Sequence, residues 1–529
     1  MINKVIAGII LLLFVGCNQK KYTIDVTDFG ARGKKTQLAT KNIQRAIDQC
    51  YKNGGGIVFF PPGEYLTGTL RILSNVTLHL EAGATLYASQ NEKDFETTYK
   101  IYKKNDSGKK GKGETPVLIY ALDAKNIGIT GNGTIHGQAQ RTYEDLKETD
   151  GFIAAITDSA RAAGVEMKMY YKVKPYTCMI FLERCTNIKI QNISLIESTD
   201  WTLHFKWCNK IFVDNIYLYS SLEKGVNADG IDIDGCHDVA ITNSIIETGD
   251  DAIVLKTTQT DTTSLSCENV VVNNCILTST STALKLGTES FADFRNITFS
   301  NCVIRNSNRG LSVVIRDGGT AENILFSNIT VECNRKHFNW WGNGDPLWLV
   351  LLKRTPESRL GMIRNVCFEN IIAHGQGTSR IEGFDGKPLE NIRLSNVQFF
   401  MHPEEYKDKR ADHCFAAHHI NNLRLENVDV FWDKKKENKW ENAFHFDNIN
   451  TLRLDNLSGT QAHIGKGAMI SMHNVNDAIV ERCKPMAGTN IFCSITGQGS
   501  QNVILSGNFT DNVAMELLKD NEVKAVKIK

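Results

Sequence analysis

The sequence predicts an all-β chain folded as a right-handed parallel β-helix, a solenoid closed at its N-terminus by a capping helix. Three observations carry that prediction. An apolar residue, a second one two places on, and an asparagine two places after that recur ten times. The steps between recurrences run from 23 to 31 residues, with a single longer one of 42. Only 9 prolines accompany 41 glycines in 529 residues, a balance that suits many short strands and tight turns.

Taken in order, residues 1–17 stand apart. Lys4 precedes an apolar run from Val5 to Val15, too short to span a bilayer and of the length of a secretory segment. Phe14-Val15-Gly16-Cys17 has the form of a bacterial lipobox, so Cys17 is the expected lipidation site and the chain is expected to be exported and lipid-anchored to a bacterial membrane. Residues 22–529 are then read as a single β-helix domain.

A helix is expected from about Ala39 to Lys52, ended by Gly54-Gly55-Gly56 and followed by the strands Ile57–Phe60 and Val76–Leu80. A solenoid needs such a cap because its terminal coil otherwise exposes an open edge. Insertions are expected near 91–116, 138–173 (with a helix over Ile153 to Ala163) and 331–360.

The repeat itself runs Ile188-x-Ile190-x-Asn192, then through Asn215, Asn243, Asn274, Asn301, Asn328, Asn370, Asn396, Asn427 and Asn456. Apolar residues two apart define a strand, whereas a helical repeat would space them by three and four. Asparagine tolerates the left-handed conformation that ends a strand, and its amide can bond to the asparagine stacked on it. The 42-residue step holds Trp340-Trp341-Gly342-Asn343-Gly344-Asp345, whose tryptophans suit either stacking on sugar or capping of the loop. Without Cys17, thirteen cysteines remain, an odd number. Cys185, Cys208, Cys236 and Cys267 share one position in the repeat and read as a ladder of buried thiols. No spacing resembles a zinc site, and neither a metal nor a cofactor is expected.

Lys plus Arg (60) against Asp plus Glu (59) leaves a net charge of +1, so no global field points to nucleic acid. The local charge is more telling. Asn227-Ala228-Asp229-Gly230 and Thr248-Gly249-Asp250-Asp251 lie 21 residues apart, close to one coil. Stacked, Asp229, Asp250 and Asp251 form one acidic patch. Crowded carboxylates raise at least one pKa, which keeps a carboxyl group protonated and able to act as an acid. Asp232 and Asp234, alternating with Ile231 and Ile233, share a face and read as support for that patch.

Several stretches occur in an order that resembles the polygalacturonase family, glycoside hydrolase family 28. They are Asp28-Phe29-Gly30-Ala31, Phe60-Pro61-Pro62-Gly63, Lys174-Pro175, Trp201-Thr202-Leu203-His204, Asn227-Ala228-Asp229-Gly230 and Gly249-Asp250-Asp251. The resemblance spans about Tyr22 to Ser458. It implies inverting acid/base hydrolysis of a pectin-type polysaccharide or oligosaccharide, containing uronate or rhamnogalacturonan. Asp250 would protonate the leaving oxygen while Asp229 and Asp251 hold the attacking water, with Asn227 on the substrate. Such a reaction needs acid and base roughly 6.5–9.5 Å apart.

Two departures bear on the sugar. Thr282 stands where the family usually has histidine, and Ser312 and Val314 stand where it has the Arg-x-Lys that grips a uronate. Lys256, Lys285 and Arg316 are the candidate replacements. In that family, insertions ahead of the catalytic coils can wall off one end of the groove, so the resemblance makes chain-end attack one expectation. The partners expected are a plant cell-wall-type glycan and a membrane, with the chain monomeric. Two other readings remain: a β-helix polysaccharide lyase, which needs a Lys or Arg base, and a non-catalytic glycan-binding β-helix.

Overall fold

The computed structural model describes residues 22–96, 116–145, 151–338 and 342–529. The export segment, Cys17, most of the 91–116 insertion, and Trp340 and Trp341 lie outside the described residues. The strands from Tyr22–Asp25 to Lys524–Ile528 pair in parallel, each with the strand one coil before and one coil after it, as a right-handed parallel β-helix requires. Tyr143–Asp145 and Tyr170–Lys172, inside the second insertion, form an antiparallel pair apart from that ladder.

Each coil contributes up to three strands. On the sheet that carries the acids, Cys178–Glu183, Leu203–Lys206, Ile231–Asp234, Ile253–Thr257, Thr282–Ser290, Arg309–Ile315 and Asp345–Leu351 stack in order. Alternation sets the two faces. Leu203, Phe205, Ile231, Ile233, Ile253, Leu255, Leu284 and Leu286 all point inward and are fully buried. The residues between them look out, so the register places His204, Asp232, Val254, Lys285, Ser312 and Trp348 in one column. Inside, Phe299, Phe326 and Phe368 stack with ring centroids 5.0 Å apart at each step, close to the rise of one coil.

All ten repeat asparagines adopt the left-handed conformation, with φ between 51° and 56°. Most bond as expected: Asn328 donates to Asn301 Oδ1 (3.1 Å), and Asn370 donates to Asn328 (2.9 Å). Two rungs shift by one residue, with Asn243 donating to Asp214 and Asn301 to Asn273 (both 2.7 Å). A second ladder precedes the first apolar position, running Asn269, Asn296, Asn323, Asn365, Asn391 and Asn422. The coils also continue past Asn456, where Arg482 (φ 53°) and Gly507 (φ 60°) take the asparagine's place. The repeat was therefore longer than its asparagines announced.

The capping helix is Thr40–Lys52 and buries Ile43, Ala46, Ile47 and Cys50. The thirteen cysteines are free, and Cys208 and Cys236 each accept through sulfur from the backbone N–H of the preceding ladder member, at 3.3 and 3.2 Å. The second insertion, with its helix Gly151–Ala162, is tied down on three sides. Lys172 pairs with buried Asp200 (2.8 Å), Tyr170 Oη donates to Glu223 (2.8 Å), and Lys168 N–H donates to His337 O (3.0 Å). Those contacts bring it against the loops that lead into the acid-bearing sheet.

Replacing Asn301 by Leu removes two side-chain hydrogen bonds and forces a branched residue into the left-handed region, at a cost of about 1–3 kcal/mol. Asn301→Gly keeps the conformation and should cost less. Chemical denaturation checks both, and an unchanged midpoint for the two variants would contradict the ladder's role.

Candidate active site

Asp229 ends the loop that enters Ile231–Asp234, and Asp250 and Asp251 end the one that enters Ile253–Thr257. Two glycines let these loops close. A Cβ on Gly249 would lie 2.2 Å from Ser221 O, and one on Gly230 would lie 2.4 Å from Ala252 O. With those approaches made, Gly230 N–H donates to Asp251 O and Ile231 N–H to Ala252 O (both 2.9 Å). Asp229 is thereby set beside the next coil's pair.

The three carboxylates converge so that one oxygen of each lies within 4.8 Å of the others. That is tighter than the 6.5–9.5 Å expected between acid and base. The cause is in the chain: Asp250 and Asp251 are consecutive, and stacking allows Asp229 only one coil's rise from them.

Two ammonium groups divide this patch unequally. Lys256 Nζ lies 3.2 Å from Asp229 and 3.4 Å from Asp232, under the ring of Trp201 at 4.2 Å. Lys285 Nζ lies 2.6 Å from Asp251, whose other oxygen accepts from Ser281 Oγ (2.8 Å) and Thr282 N–H (3.2 Å). Among the described residues Asp250 has no ion pair, and its Oδ1 accepts the Asp251 N–H at 2.8 Å. Burial, then the charges of Asp229 and Asp251, push its carboxyl well above the usual carboxylate range, with Lys285 and Lys256 opposing. Asp250 is also the most exposed of the three, at 7 % against 1 % and 2 %. Burial and two neighbouring carboxyl groups, each paired with a lysine, thus favour the protonated form of Asp250, as a general acid requires.

Lys256 and Lys285 thus lie in the site but are spent on the protein's own acids, and so are less available to grip substrate than the sequence reading supposed. For Lys256, burial alone would lower the pKa; Asp229, Asp232 and Glu289 outweigh it and hold the ammonium charged. Asn227 sits in the same loop as Asp229, in the left-handed conformation (φ 52°). Arg316 follows the strand Arg309–Ile315, its backbone N–H donating to Ser290 Oγ (2.8 Å). Thr282 contributes backbone rather than side chain. Asp232 and Asp234 are both fully buried. Asp232 supports Lys256, while Asp234 accepts from Thr258 N–H (2.8 Å) and faces His204 Nε2 (3.3 Å).

Sequence reasoning missed Glu289 and Arg354. Glu289 reaches Lys256 (3.8 Å) and Arg354 (3.6 Å), and Arg354 also pairs with Asp317 (2.7 Å). Burial would raise Glu289, but Lys256, Arg354 and Lys285 pull its carboxyl down to about 2. Among the described residues, the acidic triad is the group whose oxygens converge closely enough for a metal ion. A divalent cation there would lie beside two ammonium groups, an arrangement that disfavours it electrostatically.

With this geometry in hand, comparison with known proteins is direct. A profile for Glycosyl hydrolases family 28 matches residues 69–336. The chain is 28 % identical over 257 residues to an exo-poly-alpha-D-galacturonosidase of Dickeya chrysanthemi, covering 44 % of this chain and 41 % of that protein. It is 27 % identical over 241 residues to a probable polygalacturonase of Vitis vinifera, covering 45 % of each. The chain therefore spans less than half the length of these curated relatives. Among solved structures, the family 28 exopolygalacturonase of Yersinia enterocolitica superposes with a TM-score of 0.61 at 20 % identity, over 83 % of this chain and 78 % of that one. The exopolygalacturonase of Thermotoga maritima gives 0.57 at 23 % identity, over 78 % and 90 %. At such identities the structural likenesses speak for the fold.

The raised carboxyl has a consequence for stability. Asp250 binds its proton more tightly in the folded chain than in the unfolded one. Its contribution is therefore complete below about pH 4, where the unfolded side chain is also protonated, and is lost as pH rises through the folded pKa. Asn at 250 cannot titrate, so the thermal midpoint of Asp250→Asn should gain on the parent as pH increases. A difference that stays flat from pH 4 to 9 would contradict the assignment.

Proposed function

The chain belongs to family 28 of the glycosyl hydrolases, and from that we propose that it hydrolyses a pectin-type polysaccharide or oligosaccharide, with Asp250 as the general acid. The observation that carries this reading is the unequal pairing of the three acids, in which Lys256 takes Asp229, Lys285 takes Asp251, and Asp250, with neither lysine on it, is pushed well above the usual carboxylate range. Asp250 gives its proton to the departing glycosidic oxygen. Asp229 and Asp251, each paired with a lysine, orient a water and accept its proton as it attacks the anomeric carbon from the other side. The anomer is inverted, as membership of the family implies. The tight oxygen spacing does not itself favour inversion, which makes the anomer a necessary measurement.

Exo action is the second part of the proposal. It is supported by the insertion at 138–173, which is held by Asp200, Glu223 and His337 against the loops entering the acid-bearing sheet. A wall at that position limits the groove to a chain end. The curated relative from Dickeya carries an exo-acting name.

Asp250→Asn keeps size and hydrogen bonding but cannot deliver a proton, so activity on a natural pectic substrate should fall by about 10² to 10⁴-fold. Asp229→Asn and Asp251→Asn should be impaired as well, and the parent should release mono- or disaccharide early with the opposite anomer first. NMR of the first minutes of reaction reads all of this. Near-parent turnover by the Asp250→Asn variant, or a retained anomer, would sink the assignment of roles.

A further inference from the structure

The ionic groups around the acids point to the kind of sugar that docks beside them. Asp229, Asp232, Asp251, Glu289 and Asp317 are ion-paired carboxylates; Lys256, Lys285 and Arg354 are the cations that pair with them or with one another's partners. Among the described residues, and leaving Asp250 aside, these acids outnumber these cations by two, and by one when Arg316 is counted. The neighbouring group of Asp234, His204 and Lys206 adds no net positive charge, since Lys206 lies 3.9 Å from Asp234.

Exposure sharpens the point. The side chain of Glu289 is 28 % exposed, against 18 % for Arg354, 13 % for Lys285 and 7 % for Lys256. A sugar settling here meets a carboxylate before it meets a cation. Lys285 aside, the outward positions Val254, Ser312, Val314 and Val350 on these coils are uncharged and buried. Glu289 is held ionised by Lys256, Arg354 and Lys285, so it presents acceptor oxygens that suit hydroxyl donors and repel anions.

We propose that the sugar unit bound against Glu289 beside the three acids is neutral, its hydroxyls donating to Glu289, so that the preferred substrate joins neutral and acidic sugars or is neutral at this position, rather than being a uronate homopolymer. This rests on the pectin-type reading above. A second carboxylate at this position would lie within hydrogen-bond reach of an ionised one in a patch that already carries excess negative charge. Like charges that close oppose binding strongly when partly shielded from water. Glu289 is here a specificity-determining residue, distinct from the groups that move protons.

Calorimetry on the catalytically silent Asp250→Asn protein tests it with three probes: trigalacturonate, the same trisaccharide with its carboxylates reduced to alcohols, and an alternating neutral–acidic pectic tetrasaccharide. The reduced or the alternating probe should bind at least about tenfold more tightly than trigalacturonate, a difference of about 1.4 kcal/mol. Adding Glu289→Gln should narrow that ratio by a similar factor, chiefly by improving the fit of trigalacturonate. Trigalacturonate binding as tightly as both other probes, or a ratio indifferent to Glu289→Gln, would overturn the inference. If none of the three binds, the pectin-type reading falls and takes this one with it.

Discussion

Three carboxylates within 4.8 Å of one another would repel strongly if all were ionised in a buried site, and the coil's geometry gives them no room to separate. The arrangement is tolerable because two ammonium groups pair with two of the acids and because burial and its neighbours push the third carboxyl well above the usual carboxylate range. Lys256 and Lys285 each come from the middle of the acid-bearing sheet, where the stacked strands fix their reach. Had a third lysine met Asp250, the ion pair would favour the carboxylate form and leave no acid to offer. On the proposed reading, catalytic competence is a matter of withholding one counter-ion.

The β-helix serves that arrangement by being repetitive. Each coil returns the chain to the same sheet at a fixed rise, and the asparagine turns lock the return with a left-handed residue and a hydrogen bond to the neighbouring rung. Side chains brought together in this way are set by backbone that has little freedom to relax. The loops between coils are free to vary, and the insertion at 138–173 is tied to Asp200, Glu223 and His337 in the loops that enter the acid-bearing sheet.

Much of this was legible in the sequence because its causes are local. The apolar pair followed by asparagine encodes a strand and its turn within five residues, and Asp229 and Asp250 sit one coil apart in plain view. The second asparagine ladder, through Asn269, Asn296 and Asn323, is encoded just as locally. The C-terminal coils hid behind Arg482 and Gly507, which satisfy the same backbone demand without the same letter. Glu289 could not be foreseen. Its strand slips register between the Leu255 and Thr257 pairings, and this irregularity carries Glu289 to Lys256. Apolar spacing holds no trace of it. The choice of Asp251 by Lys285, and of Asp229 by Lys256, likewise depends on side-chain reach across coils and not on position in the chain.

The lysine pairing also explains why charged residues on this face are weak guides to substrate when read singly. Lys256 and Lys285 looked like candidate grips for an anion, but each is committed to a carboxylate of the protein. The account stands or falls on where one proton resides. Neutron diffraction from deuterated crystals near neutral pH would locate it directly. The account predicts a deuteron on the Asp250 carboxyl and bare carboxylates at Asp229 and Asp251, with fully deuterated ammonium groups on Lys256 and Lys285. A bare Asp250, or a deuteron on Asp229 or Asp251 in its place, would contradict it.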